Sequence, residues 1–387
     1  MTDRSSDASG PLAGVRVLDL SRLIPGGHAT LILAELGADV VKVEDPRGGD
    51  GTRDMEPRAG SGESGLHLVL NRGKRSVAID TTTESGRAKL RELVRRTDVL
   101  IDSFRPGVLN RMGVGPDILG DLNPALVQVG IAAFDATSGR PGHDLNALGE
   151  SGLLSLTPGG IPHLPPTPIS DLSAGFQVAI AVLAGLRARE HHLSWGPVTV
   201  SMADTAMGLL GLAEGAHAAT GVVPEPGDLD TGGHLTGGLA CYDVYECADH
   251  RWVTVASIEP KFFAALLQGL DIAGPEWKQR QVDPKSQSEL RQLLAQRFAT
   301  ETRARWLTVF SQLEACVGPV NNVTEAFADA VRRGGRGLTS VHRGDGSDVA
   351  VARAVPWLAV GSDAVTVAPG LGEHNDEVFS EWGTGRR

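Results

Sequence analysis

Short apolar runs in this chain alternate with amphipathic stretches, the pattern of strands threaded through helices. Val15–Leu20 predicts a buried strand, Gly27–Leu36 an amphipathic helix and Asp39–Glu44 a second strand, together one βαβ unit. Val77–Ile79, Val99–Ile101 and Leu126–Ile131 continue the series, with helical stretches such as Glu84–Arg95 between them. This alternation predicts a parallel sheet covered on both faces, hence a Rossmann-like α/β domain. A long helical pattern at Asp171–Arg189 follows, then a strand at Val198–Ser201 and an Ala/Gly/Leu-rich helix from Ala203 to Thr220.

The texture changes at Gly221–Gly238, where Gly, Pro and Asp crowd together as in a linker. Leu239–Tyr245 and Trp252–Ala256 then alternate about Ala248–Asp249–His250, predicting a hairpin, and Lys261–Leu270, Gln287–Phe298 and Arg303–Leu313 read as helices. These define a smaller α/β domain. Arg332–Asp348 is rich in Gly and Arg and reads as a return linker or mobile loop, ahead of short β-like runs leading to Pro369–Trp382. The expected division is residues 11–220 for the first part of the large domain, 221–238 linker, 239–330 small domain, 331–350 return linker and 351–387 rejoining the large domain. Two domains also fit 387 residues, a length beyond which single cores stop growing.

With 41% hydrophobic and 21% charged residues the composition is that of a globular protein. A net charge of -11 argues against nucleic-acid binding, so an anionic ligand would require a local basic patch. Cys241, Cys247 and Cys316 form neither an even disulfide framework nor a metal-like pair, which points to a reducing cytoplasm and to packing as small apolar residues. His163 and the pair His191–His192 lack metal-ligand spacing and read as surface residues, so no metal is expected. Met1–Gly10 is polar, without a signal-peptide core, and reads as a loose tail. The apolar run Val178–Leu186 is short and soon meets Arg187 and Arg189, so no membrane span is expected.

Three segments carry candidate chemistry. Gly142–His143–Asp144–Leu145–Asn146 and Ser170–Asp171–Leu172 place an imidazole and a carboxylate in loops before apolar helical segments. Gly237–Gly238–Leu239–Ala240–Cys241–Tyr242–Asp243–Val244–Tyr245–Glu246 leads, through Val253, to Ile258–Glu259–Pro260–Lys261–Phe262–Phe263, with Glu259 directly after a β-run. Together, over nearly the whole chain, these segments resemble the α-methylacyl-CoA racemases, a branch of the class III CoA-transferase superfamily. The resemblance implies a homodimer of interlocked rings, each chain threaded through its partner, with shared active sites. It implies His143 and Asp171 as two bases working on opposite faces of a carbon beside a thioester. Glu259 would reach across the dimer interface to fix the tautomer of His143 and raise its basicity. Residue type alone leaves other roles open: a structural histidine at 143, a helix N-cap at Asp171 and a helix-start anion at Glu259.

The substrate would carry its own CoA, and no further cofactor is expected. Leu23–Ile24–Pro25–Gly26–Gly27–His28 joins the first strand to the first helix, where backbone N–H groups and the helix dipole favour an anion. It is not a Gly-x-Gly-x-x-Gly fingerprint, which weakens a dinucleotide reading. Asn71–Arg72–Gly73–Lys74–Arg75 and Phe104–Arg105–Pro106–Gly107–Val108 look like the family's nucleotide-contacting loops, the alternative being solvated charged loops. Leu23, Arg47, Asn71, Arg72, Lys74, Arg75 and Arg105 are the expected CoA contacts.

The chain departs from the racemase pattern at four places. Ser173–Ala174–Gly175 replaces a glycine cluster after Asp171, and Ala147 replaces an aromatic residue. Asp45, with Arg47 nearby, stands where some relatives carry a basic residue, and Ala132–Gly139 is short. Three readings follow: racemisation or epimerisation of 2-methyl-branched acyl-CoA thioesters, CoA transfer through an aspartyl anhydride at Asp171, and CoA-ester binding without catalysis.

Overall fold

The computed structural model describes residues 10–60, 62–157, 161–343, 346–358 and 367–384. The expected tail up to residue 9, and parts of the stretches 331–350 and 351–387, lie outside the described residues. The chain forms two compact units: Met1–Ser151, Pro165–Gly208 and Phe327–Arg387 make the first, Gly152–Leu164 and Leu209–Ala326 the second.

The first unit is built on six parallel strands: β1 (Arg16–Asp19), β2 (Asp39–Glu44), β3 (Arg75–Ala78), β4 (Val99–Asp102), β5 (Val127–Ala132) and β6 (Val198–Ser201). Their order across the sheet is β3-β2-β1-β4-β5-β6, the doubly wound arrangement. The inner strands are short and largely buried, because parallel sheets are covered on both faces; β4 is buried throughout, whereas the edge strand β6 buries only Val200. Between them run helices α1 (Leu23–Glu35), α2 (Gly65–Asn71), α3 (Glu84–Val94), α4 (Val108–Arg111), α5 (Pro116–Leu122), α6 (Asp144–Glu150), α7 (Ile169–Glu190) and α8 (Met202–Met207). Val17, Ile101, Val129, Ala174, Val178 and Val182 pack one face; Leu18, Val77, Leu90, Leu100 and Trp382 pack the other.

Two helices are placed differently from the sequence reading. α1 starts at Leu23, four residues before the expected Gly27, because Pro25 fits a first helical turn and Gly26 is needed for clearance rather than for a loop. A Cβ on Gly26 would stand 1.9 Å from Ser21 Oγ. The expected helix 203–220 breaks after Met207, and its second half, Gly211–Thr220, belongs to the second unit. The run Val178–Leu186 lies within α7, whose 22 residues are long and apolar enough by composition to cross a membrane. In the fold, α7 packs along α1 and over β5.

The stretch 331–350, expected as a linker or loop, carries an antiparallel hairpin of β10 (Leu338–His342) and β11 (Asp348–Ala352). The Gly and Arg residues flank the two strands, which contain neither, and Val341 is buried beside Leu68 and Ala368. The C-terminal helix Asn375–Thr384 buries Val378 and Trp382, and the Trp382 indole donates to Asp39 Oδ2 at 2.9 Å.

In the second unit β7 (Tyr242–Glu246) and β8 (Trp252–Ala256) form the expected hairpin, extended by β9 (Val317–Pro319). Helices Pro260–Gly269, Gln287–Phe298 and Arg303–Phe310 supply Phe263, Leu266, Phe298, Trp306 and Phe310 to its core. Phe298 stacks on Tyr245 at 5.3 Å and meets Trp306 edge-on at 5.5 Å. Cys241 and Cys247 sit in this core as small apolar residues, whereas Cys316 is exposed.

Candidate active site

In a doubly wound sheet the chain leaves β1 and β4 in opposite directions, opening a crevice outside their carboxyl ends. A cavity of about 500 Å³ lies there, lined by Arg22 and Leu23 after β1, Ser103 to Arg105 after β4, Ile131 to Ala133 at the end of β5, His143, and Asp171. Four of the residues read from the sequence therefore converge: His143, Asp171, Leu23 and Arg105.

His143 is exposed and caps α6, its backbone N–H donating to Asn146 Oδ1 at 3.1 Å. The preceding Gly142 lets the chain pass against the end of β5, since a Cβ there would meet Phe134 and Ala133 within 2.9 Å. Asp171 is not the N-cap of α7. That position is Pro168, and Asp171 is the third helical residue, 9% exposed. Its N–H donates to Asp144 Oδ1 at 3.0 Å, which ties the start of α7 to the start of α6. Burial, reinforced by the Asp144 charge, pushes the Asp171 carboxyl up from 3.8 to about 7. A carboxyl near neutrality exchanges protons readily at ordinary pH, as a general acid or base requires.

The glycine cluster expected after Asp171 is reduced to Gly175, and that glycine is required. A Cβ on it would lie 2.7 Å from His28 Nδ1 and 3.1 Å from the Pro25 carbonyl of α1. The His28 ring in turn meets the Leu172 carbonyl at 3.3 Å. α1 and α7 thus approach closely just beneath the cavity.

The sequence reading missed Arg22, Arg111 and Asp102. Arg22, Arg105 and Arg111 are exposed and line the cavity, a basic patch in an otherwise acidic chain, and the Arg22 guanidinium lies 5.2 Å over Phe104. Arg22 directly precedes the quoted Leu23 loop, so its position was the available signal. Asp102 lines an adjoining recess of about 350 Å³, and burial raises its carboxyl to about 6.

The other expected CoA contacts lie elsewhere. Asn71, Arg72, Lys74 and Arg75 are buried and turned inward, neither solvated nor presented to the cavity. Arg72 pairs with Glu35 at 2.6 Å and bonds the carbonyls of Val69 and Ala352. Lys74 donates to Gly27 O and Asn71 Oδ1, while Arg75 joins Asp39, Glu377 and Glu381. A charge surrounded by neighbouring β-α turns is satisfied internally, and the sequence pattern of a basic loop does not reveal this. Arg47 is exposed but held by Asp45 in a bidentate pair, in an adjoining cavity of about 210 Å³ that shares Arg22, Phe104 and Val108 with the larger one. Glu259, in the second unit, is the N-cap of the helix starting at Pro260.

The sequence matches CoA-transferase family III over residues 12–375, and the chain belongs to that family. It is 31% identical to the α-methylacyl-CoA racemase of Mus musculus, covering 96% of this chain and 93% of the racemase. It is also 28% identical to the succinyl-CoA:glutarate CoA-transferase of Homo sapiens, over 96% of this chain and 86% of that protein. Among solved structures, a CAIB/BAIF family protein from Brucella suis superposes with a TM-score of 0.80 at 26% identity, covering 96% of this chain and 99% of that one.

Proposed function

We propose that the protein racemises or epimerises 2-methyl-branched acyl-CoA thioesters, moving the α-proton from one face to the other through an enolate. The observation that carries this reading is the placement of His143 and Asp171 on one cavity, with the Asp171 carboxyl poised at about 7. His143 takes the α-proton, the electron pair passes to the thioester oxygen, and protonated Asp171 returns a proton to the opposite face; the reverse direction exchanges the roles. Both directions need Asp171 in both protonation states at working pH, which a carboxyl near 7 provides. Arg22, Arg105 and Arg111 supply positive charge for the CoA phosphates. CoA arrives with the substrate, and no other cofactor takes part. The working form in this reading is a cytoplasmic homodimer in which Glu259 of one chain orients His143 of the other.

The test is incubation of a single 2-methylacyl-CoA epimer in deuterated water, with and without a free carboxylic acid. Deuterium entering the α-position as the epimers equilibrate, with no acid required, is the expected result. The second reading, CoA transfer, is favoured by the transferase relative. There Asp171 attacks the thioester carbonyl and CoA thiolate leaves; the thiolate then attacks the aspartyl carbonyl of the mixed anhydride, releasing the first acid and leaving CoA on Asp171 as a thioester, from which the acceptor carboxylate takes it by the same two steps in reverse. CoA appearing on the added acid, an aspartyl adduct trapped by hydroxylamine and no α-exchange would replace the racemase reading with this one.

A further inference from the structure

Beneath the β1–α1 turn lies a group of buried charges that the proposed chemistry does not use. Lys42, on β2, is 1% exposed, and Asp50 is 3% exposed. Their side chains pair at 3.0 Å, with Asp19 3.5 Å from the same ammonium. Burying ions is costly unless they are paired and further hydrogen-bonded, so the remaining partners of the pair are informative. The Lys42 ammonium donates to the Ser21 carbonyl at 2.9 Å, and the Asp50 carboxylate accepts the Leu23 N–H at 3.2 and 3.4 Å from its two oxygens. Asp50 is itself held, its N–H donating to Glu44 Oε2 and its carboxylate accepting from the Thr52 N–H.

Both ends of this pair therefore grip the turn containing Leu23, and Leu23 has φ of 62°, in the left-handed region that a leucine enters only when its surroundings compel it. The side chain is also pinned: a Cβ on Gly51, next to Asp50, would be 3.0 Å from Leu23 Cδ2. Leu23 opens α1 and lines the cavity with His143 and Asp171, whereas Lys42 and Asp50 do not reach that cavity.

We propose that Lys42 and Asp50 are positioning residues for the reaction: by gripping the Ser21 carbonyl and the Leu23 N–H they hold Leu23 in its left-handed conformation, and so set the wall of the cavity against which the thioester reacts. The inference rests on the acyl-CoA reading above. It predicts that the pair governs turnover through the backbone of one residue, not through charge delivered to the substrate.

The experiment compares Asp50→Asn and Lys42→Met, each in the wild-type background and combined with Leu23→Gly, measuring kcat and KM for α-deuterium exchange together with thermal unfolding. Asp50→Asn keeps the size of the side chain and decides the matter if Lys42→Met does not fold. A misplaced reacting geometry lowers kcat by ~10- to 100-fold while KM stays within about 3-fold. In the Leu23→Gly background the same substitution should cost less than about 3-fold, because glycine keeps a positive φ without a clamp. Equal losses in both backgrounds, or losses that simply follow the unfolding temperature, would overturn the proposal. Were the wild type to transfer CoA and exchange nothing, the racemase reading would fall, and the same comparison would be made on transfer rates. A crystal structure of Asp50→Asn gives a reading independent of activity: Leu23 should leave the left-handed region, and a Leu23 unmoved there refutes the clamp.

Discussion

Asp171 is pulled two ways. Its place in the first turn of a 22-residue helix favours ionisation through the helix dipole, while burial and the neighbouring Asp144 favour the protonated form and prevail, leaving the carboxyl at about 7. The folded-state value lies above the ordinary 3.8, so the unfolded chain gives up this proton first as pH rises. The contribution to stability is therefore nil below pH 3.8, becomes progressively unfavourable up to about pH 7, and is constant above that. Asp171→Asn cannot ionise. Its melting temperature should match the wild type in acid and exceed it increasingly toward neutral pH, with turnover reduced by orders of magnitude. A melting-temperature difference that does not change with pH would show that the carboxyl is not shifted upward. Near-normal turnover would remove it from the mechanism.

Two element-level contacts set the cavity floor: α1 against α7 at Gly175, and α1 against the inward-facing basic residues after α2. Gly175→Ala puts a methyl group where His28 and the Pro25 carbonyl already stand, and His28 is itself buried. The helices must separate, at a cost of about 1–3 kcal/mol by overpacking. Denaturant unfolding should register that loss together with a fall in kcat, since Leu23 and Asp171 lie on the two helices being separated. A fully active, fully stable variant would show that the close approach is not needed. Arg72 offers the converse case. Removing one member of a buried pair costs about 3–5 kcal/mol, so Arg72→Met should unfold much more easily than the wild type. Residual folded enzyme should keep the wild-type KM for the CoA ester, and a raised KM at unchanged stability would return Arg72 to the ligand.

At the scale of the whole molecule the acidic chain, at -11, concentrates three exposed arginines at one cavity, so attraction of an anionic ligand is local. The shared-site reading makes a further prediction. Asp171→Ala and Glu259→Ala chains co-expressed as hybrids should recover activity, because each heterodimer then holds one site with both groups intact. Folded hybrids that remain inactive would show that each site is complete within a single subunit.

The periodicity of apolar residues determined the six-stranded α/β unit, because a strand buried on both faces reads directly as a short apolar run, as Asp39–Glu44 and Val99–Ile101 do. His143, Asp171, Leu23 and Arg105 were legible too, since a motif is a local arrangement of residue types. What the sequence could not decide was direction and company. Asn71, Arg72, Lys74 and Arg75 look like a basic loop in one dimension, yet their partners are Glu35, Asp39, Glu377 and the Gly27 carbonyl, as far as 302 residues away. The hairpin Leu338–Ala352 was hidden because its strands are short, flanked by Gly and Arg, and carry few buried residues, so that the packing of Val341 on Leu68 is visible only in the fold. The left-handed turn at Leu23 is likewise a tertiary decision: nothing in leucine favours it, and it exists because Lys42 and Asp50, distant in sequence, meet beneath it.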